Sequence, residues 1–279
     1  MKSKTSILLI VLLTSIATNL CAQTDSTATG SSQNVQPAIS KNVPVETKGI
    51  KKLLPAFNLI KINLAPLLLK SYSLQYERIL NRKFSVAVQY RVMPETGLPF
   101  KSSILRLVDN DDPQSKKTIE DFKISNYAIT PEVRIYLSKK GFGRGFYIAP
   151  FYRYASFTSN DFDIFFTNEN NAEQSIKMPG KLTANTFGLA MGVQSALGKH
   201  VVLDIGFFGP HYGSGKGEFK GTPSHSLSAA EQNDLSDQLE GIDIPLTNST
   251  VEVNANSASL KLDGPWGGMR FTLGLGVRF

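Results

Sequence analysis

The chain has 279 residues, of which 41% are apolar and 10% aromatic, and a formal charge of +7. That positive surplus is dispersed, without the clustered basic stripe and interleaved aromatics of a nucleic-acid footprint. Beyond the amino terminus no apolar run approaches the ~20 residues of a spanning helix, so a helical membrane protein is excluded.

Lys2 and Lys4 precede an apolar run from Ile7 to Leu13, and small and polar residues lead to Leu20-Cys21-Ala22-Gln23. This is the layout of a secretory signal peptide, residues 1–22, cleaved after Ala22. A retained anchor would need a longer apolar run. A lipoprotein would use Cys21, but Thr18-Asn19-Leu20 matches the usual Leu-x-small-Cys pattern poorly. Cleavage removes Cys21, the single cysteine, and with it any disulfide, thiolate metal site or cysteine nucleophile. It also removes Lys2 and Lys4, leaving about +5 of the original +7. Residues 23–55 are rich in Ser, Thr, Gln, Asn, Ala and Val and lack aromatics, which predicts a disordered periplasmic lead.

From residue 56 the texture becomes short alternating segments separated by turn residues. Phe57 to Leu64 is a first strand. Ser71 to Leu80 is a second, with Tyr72, Leu74 and Tyr76 on one face and Ser73, Gln75 and Glu77 on the other. After the turn Asn81-Arg82-Lys83, Phe84, Val86, Val88, Tyr90 and Val92 oppose Ser85, Ala87, Gln89 and Arg91. Strands at about Ser125–Leu137 and Phe146–Phe157 flank a glycine-rich turn, with Pro131 as an oddity because proline removes a ladder donor. Ala184–Leu197 and Val201–Tyr212 form a third pair around Gly198-Lys199-His200, and an eighth strand starts near Gly267. In that last strand Phe271, Leu273, Leu275, Val277 and Phe279 share one face, and Arg270, Thr272, Gly274, Gly276 and Arg278 the other.

Short turns after strands two, four and six, with longer connections after three, five and seven, predict an all-β fold. The fold is an eight-stranded antiparallel transmembrane up-and-down β-barrel, residues 56–279, with a short helix in its last long loop. A soluble lipocalin-like barrel would turn its charges outward. Here the polar face carries Glu77, Arg91, Glu132, Arg134, Arg153, Asp204, Arg270 and Arg278, which suits a narrow, salt-bridged lumen. The signal peptide, the terminal Phe279 and tyrosine-rich strand ends (Tyr72, Tyr90, Tyr152, Tyr154) favour the cell outer membrane of a Gram-negative, Sec-exporting cell.

Ile62-Asn63-Leu64-Ala65-Pro66-Leu67, Leu74-Gln75-Tyr76-Glu77-Arg78, Ile129-Thr130-Pro131-Glu132-Val133-Arg134-Ile135-Tyr136, Gly209-Pro210-His211-Tyr212-Gly213 and Gly264-Pro265-Trp266-Gly267-Gly268-Met269-Arg270 occur in that order. With them the chain resembles an uncharacterised outer-membrane β-barrel family common in Bacteroidetes, a domain of unknown function, over about residues 56–279. The resemblance implies the barrel and the membrane; it carries no activity and no catalytic residues.

The last long loop, residues 213–263, holds eight acids and three lysines. Ser228-Ala229-Ala230-Glu231 is a capping box, and Leu235 and Leu239 lie four apart, predicting a helix over about Ala229–Glu240. The loop is either a cap that binds a cation or basic partner, or a solvated helix packed on the rim. Residues 157–183, with Phe157, Phe162, Phe165 and Phe166, extend two strands outward as an open edge for strand addition or as a covered hairpin. Residues 94–121, with Leu105 and Val108, read as a surface loop with a short helix.

His200, His211 and His225 are the three histidines. No spacing compels a serine–histidine–acid site or a metal site, so no catalytic, cofactor-binding or metal-ligating residue is assigned. The expected role is a non-enzymatic surface or envelope-interaction protein. A narrow conduit for a small or hydrophobic molecule is the alternative, and a lipid-modifying membrane enzyme the third reading. The implied partners are outer-membrane lipid and lipopolysaccharide, the barrel-assembly machinery and an unidentified surface partner. The chain is read as a monomer that binds no nucleic acid.

Overall fold

The structure, a computed structural model, describes residues 57–279 apart from 99–100, 107–115, 117–118, 140, 161, 169–171 and 243. The expected signal peptide, Cys21, the lead 23–55, Val108 and the loop tip 169–171 lie outside the described residues.

Eight antiparallel strands close on themselves. β1 (Asn58–Asn63) pairs with β2 (Tyr72–Ile79), and the ladder continues through β3 (Phe84–Gly97), β4 (Lys123–Tyr136), β5 (Gly145–Ser159) and β8 (Gly180–Leu197). β8 pairs with β9 (Val201–Phe208), β9 with β13 (Thr272–Arg278), and β13 returns to β1 in the register Leu59↔Arg278 to Asn63↔Gly274. The last residue is tied into this closure, since Asn58 and Phe279 exchange backbone hydrogen bonds of 3.1 and 3.0 Å. Pro131 and Pro150 both lie in the β4–β5 pair, and the pairing there is intermittent: Ile129↔Tyr154, Glu132↔Phe151, Ile135↔Ile148. The missing donors leave gaps in this ladder that the neighbouring strands bridge.

The short connections all lie at the end that carries Asn58 and Phe279. In the one between β4 and β5, Gly143 has φ +69°, and a Cβ there would run into Ile79 and Arg278. Only glycine meets both conditions.

The alternation turns the barrel inside out relative to a soluble one. Ile60, Ile62, Leu74, Val86, Val88, Ile129, Val133, Leu189, Val193, Ile205, Leu273, Leu275 and Val277 are exposed on the outer wall. Lys61, Gln75, Glu77, Gln89, Glu132, Arg134, Gln194 and Asp204 are buried inside. Tyr72, Tyr90, Tyr127, Phe187 and Tyr212 ring the wall nearer its far end.

Beyond that ring the barrel grows a head. β8 has 18 residues, nearly twice the ~9–11 of a bilayer-crossing strand. β9 continues past Gly209 as β10 (Pro210–Gly221), which stays paired with β8 from His211↔Gly188 to Phe219↔Gly180. β12 (Ser257–Met269) leads into β13 and pairs with β10 on one edge and with β11 (Asn248–Asn254) on the other. The strand expected to end at Tyr212 therefore runs on to Gly221, and the one expected to start near Gly267 starts at Ser257. Gly213, Gly215 and Gly217 made the first stretch look like a loop. They are close-packing positions: a Cβ on Gly213 would collide with the Asn185 backbone, and one on Gly215 would sit 3.3 Å from Trp266.

A hairpin, β6 (Asp163–Thr167) with β7 (Glu173–Lys177), folds back on the helix Ala229–Glu240. The helix has the expected capping box: Glu231 N–H donates to Ser228 Oγ, and Ser228 N–H donates to Glu231 Oε2 at 2.9 Å. Its Leu235 and Leu239 pack with Phe162, Ile164, Phe166 and Ile176 in an apolar core that reaches down to Ala155 and Phe157 in the barrel mouth. The hairpin is thus the covered one, and the helix is part of a packed core rather than a solvated rim.

Candidate functional site

Halfway up the lumen the polar face condenses into one layer. Lys61 Nζ donates to Glu77 Oε2 at 2.6 Å, Asp204 Oδ2 at 2.8 Å and Gln194 Oε1 at 2.9 Å. Arg134 spans the barrel: Nη1 reaches Asp204 at 2.6 Å, Nε reaches Glu132 at 2.5 Å, and Nη2 reaches Gln75 at 3.2 Å. Arg270 ion-pairs with Glu132 and donates to Gln89 Oε1 at 2.6 Å. The hydroxyls of Tyr136 and Tyr147 donate to Glu77 and Asp204, at 2.7 and 2.8 Å, and the Arg134 guanidinium lies 4.4 Å from the Tyr147 ring centroid. Lys61, Glu77, Arg134 and Asp204 are at most 1% exposed.

Three cations (Lys61, Arg134, Arg270) meet three carboxylates (Glu77, Glu132, Asp204). The layer is neutral, and neutrality is what makes burying six charges tolerable. Its bonds run from β1 and β2 across to β4 and β9, so an ion passing at this level would have to break bonds among desolvated charges.

Above this layer the balance fails. A cavity of about 110 Å³ is lined on its polar side by Arg91, Arg153, His211 and the already paired Arg270. Arg91 has no hydrogen bond or ion pair among the described residues, and its Nε is buried without a partner. Among the described residues Arg153 donates only to Thr130 Oγ1, at 3.3 Å, and Arg91 and Arg270 are close enough to repel it. His211 stacks edge-on against Phe151 at 6.1 Å, and its Nδ1 is also buried and unpartnered. The roof is apolar, with Phe157 and Trp266 rings 5.4 Å apart. The chamber has the ion pairs of the layer below it and the apolar core of the head above it.

Its side is different. The β1–β13 ladder stops at Asn63↔Gly274, followed by one bond from Leu64 N–H to the Leu273 carbonyl at 2.8 Å. The chain then turns away in a 3-10 turn, Ala65–Leu69. β11 takes up that edge only at Asp263. Between those points, from Pro265 to Thr272, no strand among the described residues pairs with this edge. The Asn63 side chain takes over part of the lost ladder, accepting from Leu273 N–H at 2.9 Å and donating to the Phe271 carbonyl at 3.4 Å. Pro66, Leu69, Met269 and Phe271 line the chamber at this seam, and Leu64, Leu67 and Leu68 are exposed beside it.

Of the polar residues singled out from sequence, Glu77, Glu132, Arg134, Asp204 and Arg270 meet in the neutral layer. Arg91 and Arg153 stand apart in the chamber. Arg278 lies at the short-turn end, donating to the Phe142 carbonyl without a carboxylate partner among the described residues. Phe271, expected on the outer face of the closing strand, sits instead at the break between β12 and β13, half-buried at the seam. Lys61 and Gln194 were missed, while Gln75, Tyr136 and Tyr147 fall on the polar faces read from the alternation but were not assigned to the network. Lys61 had a signal: it is the inward position between Ile60 and Ile62.

The head's acids are used by neighbours: Asp234 accepts from Thr167 N–H at 2.6 Å, and Asp263 and Glu252 pair with Lys216 and Lys261 at 3.1 and 3.3 Å. Among the described residues no group of three or more His, Cys, Asp or Glu is placed to hold a metal. Ser224 Oγ lies 3.4 Å from His225 Nδ1, and His225 Nε2 lies 3.3 Å from Glu231 Oε1. This is the order of a serine–histidine–acid relay, but Glu231 is committed to the helix cap, and both contacts are long for one. The backbone N–H of Ser228 and then His225 hold the Glu231 carboxyl below the usual glutamate range.

No protein-family model matches the chain, and no curated protein does. Among solved structures, the crystal structure of Acinetobacter baumannii CarO is similar over 78% of this chain and 100% of that one, at 11% identity and a TM-score of 0.27. The fold rests on the closed ladder described above, not on that likeness.

Proposed function

We propose that this chain is an outer-membrane barrel with a sealed lumen, a membrane anchor that holds a rigid extracellular head for interaction at the cell surface or within the envelope. The observation that carries this reading is the neutral layer around Arg134, because it lies across the barrel axis. The outer wall supports the membrane placement. So large a continuous apolar surface is untenable in water, and in a bilayer it is the required one. Lipid and lipopolysaccharide are the proposed contacts of that wall, the barrel-assembly machinery its route of insertion, and the Bacteroidetes family resemblance its proposed kinship.

The conduit reading requires an opening along the axis, which the salt-bridged layer and the apolar head both oppose. The enzyme reading has only the Ser224–His225–Glu231 contact, held in a helix cap away from the barrel wall. Reconstitution of the mature protein into planar bilayers tests the assignment. Silence, with heat-modifiable migration proving the barrel folded, is the expected result; large, stable unitary currents would sink it.

A further inference from the structure

We propose that the chamber around Arg91 and Arg153 binds the oxyanion headgroup, carboxylate or phosphate, of an amphiphile that enters sideways through the unpaired seam beside β12. The proposal rests on the membrane placement above. Four observations converge on it. First, the neutral layer uses its three carboxylates on Lys61, Arg134 and Arg270, so two guanidinium groups next door are left with no anion among the described residues. Enclosed cations without a counter-charge are costly unless a ligand supplies one. Guanidinium groups are also the side chains best shaped for planar or tetrahedral oxyanions.

Second, the cavity, about 110 Å³, is of a size for a headgroup and not for a whole lipid. Third, ion pairs lie below the chamber and the apolar core of the head above it, and the side left without a paired strand among the described residues is the edge from Pro265 to Thr272. Fourth, that doorway is apolar, with Pro66, Leu69, Met269 and Phe271 at the cavity and Leu67 and Leu68 exposed outside it. An acyl chain lies against such a rim while its headgroup sits inside. By contrast, a larger depression on the head, about 480 Å³, is lined by Lys181, Lys216 and Lys261 together with the carboxylates of Glu218 and Asp263, and Lys216 and Lys261 are paired with Asp263 and Glu252.

The chain carries its own reporter. Trp266 is the single tryptophan and lines the chamber. The mature protein, refolded in a nonionic detergent, is titrated with oleate, methyl oleate and inorganic phosphate while Trp266 emission is followed. Oleate gives a saturable change and methyl oleate none; each arginine removed, in R91M and R153M, weakens oleate by about tenfold. Arg153→Lys retains part of the affinity. Oleate also raises the unfolding temperature of the wild type and not of the double variant, which without ligand is no less stable, having lost two repelling charges. If the double variant does not fold, R153Q alone gives the same comparison.

Equal responses to oleate and its ester, or full binding by the arginine variants, would overturn the proposal. Saturation by phosphate with no response to oleate would overturn sideways capture and leave a soluble oxyanion as the ligand. A barrel that migrates as folded but binds nothing sinks this inference alone, whereas a soluble protein without heat-modifiable migration sinks the membrane placement too.

Discussion

Arg134 shows how much rests on single side chains in this lumen. Its guanidinium touches Glu132, Asp204 and Gln75 and stacks on Tyr147. Removing one member of a buried ionic cluster strands the others, at a cost of about 3–5 kcal/mol. Arg134→Met is therefore expected to lower the unfolding free energy of the detergent-folded barrel in urea by that amount, and its midpoint with it, whereas Arg153→Met, which strands no charge, leaves both unchanged or raises them. A midpoint for Arg134→Met equal to wild type would mean that water has already entered the layer. Alternation in sequence assigns these arginines to the inner face but not to a height along the barrel. Height decides which of them finds a carboxylate, and it depends on the stagger between strands. That is why Arg91, Arg153 and Arg270 looked alike in sequence and differ in the fold.

The Ala229–Glu240 helix is the element whose local chemistry was most legible, because a capping box and a leucine pair at i, i+4 are both short-range signals. Ser228→Ala is expected to cost about 1 kcal/mol of local stability, read as faster protease cleavage of the head with the barrel's heat-modifiable migration unchanged. The same cap gives the head an acid sensitivity. Glu231 is held below its ordinary value of 4.5, so its contribution is fully present above that pH. It is lost as pH falls through the lower folded value, when protonation replaces the charged acceptor that Ser228 N–H uses by a weaker neutral one. Glu231→Gln should flatten this dependence in protease sensitivity measured from pH 6 downward; a variant as acid-sensitive as wild type would place the sensitivity elsewhere. Less legible were the outer halves of β10 and β12. Alternating glycines at 213, 215 and 217 carry no apolar period, and their meaning lies in the closeness of Asn185 and Trp266, contacts between segments far apart in sequence.

At the scale of the whole molecule, the barrel wall runs on into the head as one continuous sheet, covered there by the β6–β7 hairpin and the helix, and is divided by what faces outward. Below the tyrosine ring the wall is apolar and the inside charged; above it, the inside is apolar and the outer face carries Lys216, Glu218, Lys220 and Asp263. That reversal occurs within single strands, as when β8 passes from exposed Leu189 and Val193 to buried Leu182 and Ala184. A membrane explains the change of rule, since the solvent changes from lipid to water at that level. The two halves should therefore fail separately. Leu235→Ala removes a fully buried side chain from the head core, a change that costs about 2–5 kcal/mol in a well-packed site. Protease added to intact cells should then cut within residues 213–263, and the membrane-protected fragment should still migrate faster unheated than boiled. Loss of that migration shift in Leu235→Ala would mean that the head and the barrel fold as one cooperative unit, with the apolar core in the barrel mouth holding the strands below it in register.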